Sequence, residues 1–555
     1  MHFEINFYTD FNTDLLRQIL LVKYKKNSLS CDTNLNRLPF FNVEISDGGI
    51  CVIWVSVESF KNTYFLNKLG MSSLEQEDLL KDSVFKFLAD VRAIAGKYKQ
   101  TIICSFNSIR EGRGSGSGNY LSNGNAYIIT YLNYNLANLA NKNQSIYLLD
   151  VQSWKDQVSN SLDEKNWYLT KNPFSRKFLN LAASELSHHL DLINKGRSIK
   201  VILLDLDNTI WGGEAGESNI SEIRIGGHDY VGEAFAEFQR TLLKLNQQGI
   251  LIALVSKNSE EIAMAVFDNH PEMILARKNI SAMRINWDEK HLNIIKIMND
   301  LNLGLNSAIF IDDNQVERAS IKANLPEVQV LDLPPDPCLY CKTLNSIKCF
   351  DLIDTTVEDQ NRSISYQENI LRKKNKSQHS DKESWLMALE TKIYIENISN
   401  NNINRYVQLL NKTNQFNAKT RRMNKNDFET WLNQEGHNAW SFRLEDKYGK
   451  MGIIGLLSSV IKDDFLNIED YVLSCRSANR GVEECMLSFI CEHAMKKKCK
   501  NIFLQAKQTE RNKPMLDFLN NQNHLIKIGS NLFSINLSKS IISNPKYIST
   551  YLTDL

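Results

Sequence analysis

Apolar runs and amphipathic stretches alternate along most of this chain. Residues 201–204, Val-Ile-Leu-Leu, form an unbroken apolar run between Lys200 and Asp205, the pattern of a buried strand. Residues 250–255 and 307–311 read the same way. Between them, residues 230–248 carry helical periodicity that Gly249 stops, and Lys290 opens a helix reaching Met298. Strand, helix, strand, helix from Lys200 to about Asp354 predicts a doubly wound parallel sheet, an α/β domain. Before it, apolar runs at 51–55, 101–104 and 146–149 alternate with helical patterns at 75–98 and 128–140, a second α/β layer. A helix over 173–189 leads into the central domain, with His188 and His189 expected on its surface. After Leu333-Pro-Pro-Asp-Pro337 the pattern changes. Residues 354–382 are polar and helical, and residues 372–383 read as a charge-rich linker without a function. A helix over 401–413, alternating runs at 453–457 and 466–473 suggesting antiparallel strands, and a helix over 482–496 predict an α+β domain. The expected division is 1–195, 196–355, a linker 356–383, and 384–555.

Composition narrows the class. With 555 residues the chain has room for about three domains of the usual ~100–200 residues. A net charge of +1 gives no bulk electrostatic case for nucleic acid or a membrane surface. No apolar run is long enough to span a bilayer, and the start, MHFEINFYTD, lacks the regions of a signal peptide. The ten cysteines are scattered. Cys338-x-x-Cys341 stands among prolines without a second pair, so no zinc site is expected, and free thiols in a reducing cytoplasm are. The run 111–121 is rich in glycine and serine but lacks a Walker lysine, and is expected to be a surface loop.

The chemistry gathers at predicted strand ends, where open α/β sheets bind ligands. Asp205 and Asp207 close the first central strand, with Asn208, Thr209 and Gly212-Gly213 behind them. Two carboxylates so placed repel each other unless a cation or a shared proton compensates, and Mg2+ takes hard oxygen ligands while leaving room for phosphate. A strand ending in an acidic turn is the plainer alternative. Ser256-Lys257-Asn258 ends the next strand, Lys290 closes Asn286-Trp-Asp-Glu-Lys290, and Asp312-Asp313-Asn314 ends the fourth.

DLDNT followed by WGG resembles motif one of the haloacid dehalogenase-like (HAD) phosphohydrolases, and the longer string KVILLDLDNTIWGGEAGE resembles their FkbH-like subgroup. Ser256, Lys290 and Asp312-Asp313 match motifs two, three and four in order. The resemblance implies Asp205 as a nucleophile forming an aspartyl-phosphate and Asp207 as general acid/base. It implies a Mg2+ site from Asp205, Asp207 through its carbonyl, Asp312 and Asp313, and phosphate binding by Ser256, Asn258 and Lys290. Trp211, Gly212 and Gly213 stand where such proteins place a specificity flap. An N-terminal degenerate SGNH-like domain is implied, but Tyr8-Thr-Asp-Phe-Asn12 replaces the Gly-Asp-Ser block, so no hydrolase activity is expected there.

The last domain resembles the acetyltransferase-like (GNAT) fold. LLNKTNQFN at 409–417 and Ser474-Cys475-Arg476 look like subgroup signatures, while the pyrophosphate loop is matched only loosely at 476–482, so acetyl-CoA is not expected. Cys475 ends a strand beside Arg476 and Arg480 before a helix, which favours a thiolate nucleophile; a buried structural cysteine is the alternative. Thr509, Arg511 and Asn512 are candidates for touching phosphate or a carrier. The implied function is a cytoplasmic Mg2+-dependent phosphatase/glyceryl transferase. It would load a three-carbon glyceryl unit from a phosphorylated donor, a 1,3-bisphosphoglycerate-like acyl phosphate, onto an acyl carrier protein for polyketide-type biosynthesis. A plain Mg2+-dependent HAD phosphatase with an accessory C-terminal domain is the alternative, and a non-enzymatic docking module a third. Neither nucleic acid nor a membrane is an expected partner.

Overall fold

Continuously apolar strands need cover on both faces, and the central sheet has it. The computed structural model describes residues 5–24, 49–66, 71–108, 116–143, 145–196, 198–217, 219–227, 229–352, 381–399, 402–474, 477–538 and 542–553, with 368, 372, 375 and 379. Met1–Arg197 with Asp351–Ile353 form one compact unit, and Ser198–Phe350 with Asp354–Leu555 the other.

The first unit holds a four-stranded parallel sheet in the order β1 (Ile5–Thr9), β2 (Ile50–Trp54), β3 (Gln100–Cys104), β4 (Ile146–Leu149). Successive residues feed opposite cores. Tyr8, Ile53 and Ile103 pack with Phe60, Phe87 and Leu132; Phe7, Val52 and Ile102 pack with Leu16, Trp154 and Phe178. The closing helix is Arg176–Lys195. Its histidines are not the free surface residues expected. His188 Nε2 lies 3.1 Å from Asp351 Oδ2. His189 packs edge-on against Tyr147, and burial, with His188 beside it, pushes its pKa down to about 4. The expected loop over 111–121 falls partly outside the described residues, and Gly116–Tyr120 forms a short 3-10 turn.

The central sheet runs β7 (Ile280–Ile285), β6 (Leu251–Ser256), β5 (Val201–Leu204), β8 (Ala308–Asp312), β9 (Gln329–Asp332), all parallel. Strand order reverses between β5 and β8, so their carboxyl ends flank the switch point of this doubly wound α/β sheet. Ile202, Leu204, Ile252 and Ile309 face one core, and Val201, Leu203, Ala253 and Phe310 the other. That is why these strands read as apolar runs rather than alternations. Asp229 caps the helix Tyr230–Gln247 through the amides of Val231 and Gly232, and Gly249, at φ +87°, ends its last turn.

The C-terminal α+β sheet has eight strands: β15 (Ile526–Gly529), β16 (Leu532–Asn536), β14 (Asn501–Gln505), β13 (Phe465–Leu473), β12 (Gly449–Lys462), β11 (His437–Asp446), β10 (Thr391–Asn397) and β17 (Ile548–Thr553). Only β13/β14 and β10/β17 pair in parallel. The expected apolar/polar alternation is missing from the middle of β12, where residues 453–460 are buried without a break. The helix Ile403–Lys412 covers Ile453, Leu456 and Val472 on one face, and Val482–Lys496 covers Ile454, Leu457 and Tyr471 on the other. Cys485 and Cys491 sit in that second core as expected, their thiols pushed up to about 12 by burial. The β13/β14 pairing ends at Ile468–Leu504. Beyond it, Ala418 N–H donates to Tyr471 O, Leu473 N–H to Phe416 O and Lys507 N–H to Ala418 O, so residues 416–418 occupy the gap between the two strands.

One residue of the expected functionless linker has a structural duty. Arg372 is buried, and its Nε and Nη2 reach Asp446 Oδ2 and Oδ1 at 2.7 and 2.8 Å. Arg480 Nη2 reaches the same Oδ2 at 2.6 Å. Glu368 Oε2, 3.2 Å from Arg372 Nη2, adds a second carboxylate to the cluster. Asp446→Ala should cost about 3–5 kcal/mol by leaving the buried Arg480 without its carboxylate. Urea unfolding followed by circular dichroism checks this, with a large drop in midpoint expected.

Candidate functional site

Three strand ends and one helix start converge at Asp205. It follows β5 at the centre of the sheet, and only 6 % of it is exposed. Lys290, the first residue of the helix Lys290–Asp300, is buried beside it, with Nζ 2.8 Å from Asp205 Oδ1 and 2.6 Å from Asp312 Oδ2. Burial works against the ammonium, but Asp205 and Asp312 outweigh it and raise its pKa. Burial pushes Asp205 up, against Lys290 and the Ser256 hydroxyl, which favour its ionised form. Burial and the charge of Asp205 push Asp312 up to about 6, and the same two causes raise Asp313.

Asp205, Asp312 and Asp313 each offer an oxygen, all within 4.8 Å of one another. Asp205 Oδ1 meets Lys290 Nζ at 2.8 Å, and the carboxylate keeps lone-pair capacity beyond that contact for a further ligand. An all-oxygen set of three carboxylates facing a single ammonium fits a hard divalent cation such as Mg2+. The peptide around the acids is pinned. Thr209, fully buried, donates through Oγ1 to Asp313 Oδ1 at 3.3 Å and accepts the Asp313 N–H at 3.1 Å. Arg318 Nη1 donates to the carbonyls of Asp312 and Asp313 at 2.7 and 2.6 Å. Asn314 N–H donates to Asp312 Oδ1 at 2.8 Å.

Asp207 is held apart from this trio. Its Oδ1 accepts Trp211 Nε1–H and Ala215 N–H, both at 2.9 Å, and its Oδ2 accepts Asn258 Nδ2–H at 2.9 Å. Asn258 Oδ1 in turn accepts Ser259 N–H at 2.7 Å. The amide expected to meet phosphate is thus engaged with Asp207. Trp211, expected on a flap, is fully buried and packs edge-on against Phe267. The turn is fixed by Asn208 at φ +52°, whose Oδ1 accepts Gly213 N–H at 3.0 Å. Gly212 and Arg224 exchange backbone hydrogen bonds, closing the segment as a ribbon. A Cβ on Gly212 would meet the Phe235 ring at 2.9 Å, so glycine is required there. Gln239, wholly buried, ties this ribbon down: Nε2 donates to Ile210 O, and Oε1 accepts Ile274 and Leu275 N–H. At the rim, Lys257 Nζ lies 2.9 Å from Glu317 Oε1 and 3.6 Å from Glu289 Oε2.

The expected residues Asp205, Asp207, Ser256, Asn258, Lys290, Asp312 and Asp313 therefore come together at one sheet edge. Sequence reasoning missed the supports Thr209, Arg318 and Gln239, and the hydrogen-bonding role of Trp211. For Thr209 and Trp211 the adjacency to Asp207 was a signal; for Gln239, far along a helix, there was none.

Cys475 and Arg476 lie outside the described residues. Their described neighbours are already engaged. Arg480 is paired with Asp446. Glu483, in the first turn of the helix Val482–Lys496, accepts Asn479 N–H at 2.7 Å, and burial, with Glu484 beside it, pushes its pKa up to about 7.

No protein-family model and no curated protein matches the chain. Among solved structures it is similar to the N-terminal part of BF1531 from Bacteroides fragilis, described as containing a phosphatase domain complexed with Mg, at 26% identity and a TM-score of 0.55. That match covers 64% of this chain and 95% of that one. It is also similar to a spermidine N-acetyltransferase of Vibrio cholerae, solved with CoA and spermine, at 11% identity and a TM-score of 0.21, over 26% of this chain and 96% of that one. A GNAT-family acetyltransferase of Staphylococcus aureus Mu50 matches at 13% identity and a TM-score of 0.21, over 26% of this chain and 99% of that one. The central domain is HAD-like. No helix among the described residues is long and apolar enough to cross a membrane.

Because burial and Asp205 favour the protonated form of Asp312, a cation must displace that proton to be ligated. Mg2+ affinity should fall as pH drops through about 6. Near neutral pH, Asp312→Asn should weaken it by about tenfold or more. Isothermal titration calorimetry measures both, and an unchanged affinity would remove Asp312 from the ligand set.

Proposed function

We propose that this chain is a Mg2+-dependent HAD-type phosphatase that works through an aspartyl-phosphate on Asp205. The observation that carries the reading is the buried Asp205 held between Lys290 and the Asp312–Asp313 pair. Likeness to a phosphatase domain solved with Mg supports it. Asp205, Asp312 and Asp313 would hold Mg2+, which supplies charge neutralisation and orients the phosphoryl oxygens.

The remaining steps belong to the chain's own side chains. A carboxylate oxygen of Asp205 attacks phosphorus in line with the leaving oxygen, and the bond from phosphorus to that oxygen breaks. Lys290 and the Ser256 hydroxyl take up charge on the equatorial oxygens. Asp207 protonates the leaving oxygen, then deprotonates the water that hydrolyses the acyl-phosphate. To reach those groups it exchanges one of its three hydrogen bonds. Trp211 and Asn258 are positioning residues, since they act through Asp207.

The finer reading is a glyceryl transferase/phosphatase. A three-carbon acyl group would pass from an acyl phosphate to the Cys475 thiolate and then to the pantetheine thiol of an acyl carrier protein, while Asp205 removes the second phosphate. The support is the FkbH-like string around Asp205 and the signatures at 409–417 and 474–476. A specific observation favours the simpler phosphatase: Arg480, one of the two cations expected to favour a thiolate, is buried and committed to Asp446, which weakens that electrostatic case.

Asp205→Asn should cut phosphate release from a phosphomonoester by at least about a thousandfold without unfolding the protein. Unchanged release would sink the aspartyl-phosphate route. Trp211→Phe should lower kcat about tenfold with little change in KM, because only the donor to Asp207 is lost. Cys475→Ser should abolish acyl transfer to a carrier protein, read by intact mass, while leaving hydrolysis of a small phosphomonoester intact. A parent protein that never forms an adduct but hydrolyses small phosphates selects the simpler phosphatase.

A further inference from the structure

A cavity of about 410 Å³ opens in the C-terminal domain, lined by Asn414, Thr420, Arg422, Thr509, Glu510 and Arg511. It lies on two loops, 414–422 and 507–512, and two buried asparagines build both. Asn417, 1 % exposed, accepts the N–H of Lys419 and Thr420 on Oδ1 at 3.2 and 2.8 Å and donates from Nδ2 to Thr413 O at 3.1 Å. Asn512, wholly buried, donates from Nδ2 to Asn417 O at 3.1 Å and Lys507 O at 2.9 Å, and accepts Thr509 N–H on Oδ1 at 2.8 Å. One amide thus fastens the two loops together. Thr420 stands at φ +53°, in the left-handed region a β-branched residue avoids. Backbone strain of this kind persists only where the surroundings enforce it.

The lining is rich in uncommitted donors. Arg422 is aimed by Nη1 on Leu410 O and Nη2 on Asn414 Oδ1. Its guanidinium has five N–H groups, so others remain. The Arg511 side chain has no ion-pair or hydrogen-bond partner among the described residues, and Glu510 pairs with neither arginine. Thr509 Oγ1 accepts Asn512 N–H at 3.2 Å, which leaves its hydroxyl proton to donate. Two guanidinium forks and a hydroxyl lining one cavity suit a tetrahedral oxyanion better than a lone cation.

We propose that this cavity is a second phosphoryl-binding site, distinct from the Asp205 site, which takes the terminal phosphate of a small phosphorylated ligand between Arg422 and Arg511. It goes beyond the phosphatase reading and does not depend on it, since it needs neither Mg2+ nor Asp205. Two sources share this chemistry, a free phosphorylated metabolite and a phosphorylated pantetheine compound.

The experiment uses the full chain in excess EDTA, so that the cation-dependent site does not contribute. Binding of inorganic phosphate, glycerol phosphate and coenzyme A is measured by calorimetry for the parent, Arg511→Gln and Arg422→Gln. Arg511 is exposed, so its variant should fold as the parent does. The parent should bind at least one probe, and each variant should bind it at least about tenfold more weakly, roughly the loss of one charge-assisted contact. Mg2+-dependent hydrolysis of a small phosphomonoester should stay unchanged in Arg511→Gln. Tighter binding of glycerol phosphate than of coenzyme A assigns a metabolite, and the reverse assigns a pantetheine source; both support the site. No binding of any probe by the parent in EDTA, or equal affinity in both variants, overturns it.

Discussion

Three carboxylates within 4.8 Å of one another, at the end of a buried sheet, are the constraint around which the central domain is built. At about 4 Å two like charges repel by on the order of 4 kcal/mol at the effective dielectric near a protein surface. Lys290 offsets part of that by touching two of the three, and it is itself held in charge by them. The residual excess of negative charge, three carboxylates against one ammonium, makes a divalent cation a complementary ligand. Asp205 is thus kept buried and oriented among like charges, an arrangement that costs stability.

The rest of the domain holds this charge cluster in place. Thr209 ties the turn after β5 to Asp313, and Arg318 gathers the two carbonyls that end β8, so the acidic strand ends cannot drift apart. A separate set holds Asp207: an indole N–H, a backbone N–H and an amide from the end of β6. Two aspartates two residues apart therefore live in different environments. One lies against a lysine and two further acids, the other against neutral donors, a contrast of the kind the proposed roles of nucleophile and acid/base require.

In the C-terminal domain the same economy of buried polar groups recurs for another end. Asp446 is shared by Arg372 and Arg480, which clamps the segment before the domain and the turn before the helix Val482–Lys496 onto one carboxylate. The parallel pair β13/β14 parts after Ile468 and Leu504, and residues 416–418 fill the opening with backbone hydrogen bonds. Asn417 and Asn512 satisfy polar groups that this insertion buries, so the donors that Arg422, Arg511 and Thr509 have left over are not needed to hold the loops together.

By itself the sequence determined the central layout and its chemistry. Unbroken apolar runs such as 201–204 had to be strands covered on both faces, and acids at their carboxyl ends had to share one edge, because parallel strands all point the same way. Asp205 and Asp312 were legible for that reason, while Ser256 and Lys290 were legible through the resemblance to the HAD motifs in their order along the chain. Only the tertiary structure decided what lies outside local periodicity. Burial of β12 on both faces depends on two helices, one on each side of the sheet, which no alternation within 449–462 records. Gln239 holds the turn at Ile210 from 29 residues away, and Arg372 looks like one more charge in a basic run until Asp446 is found 74 residues on. Hydrogen bonds between distant segments leave no period in the chain, so only the fold reveals which polar residues are structural and which remain free to act.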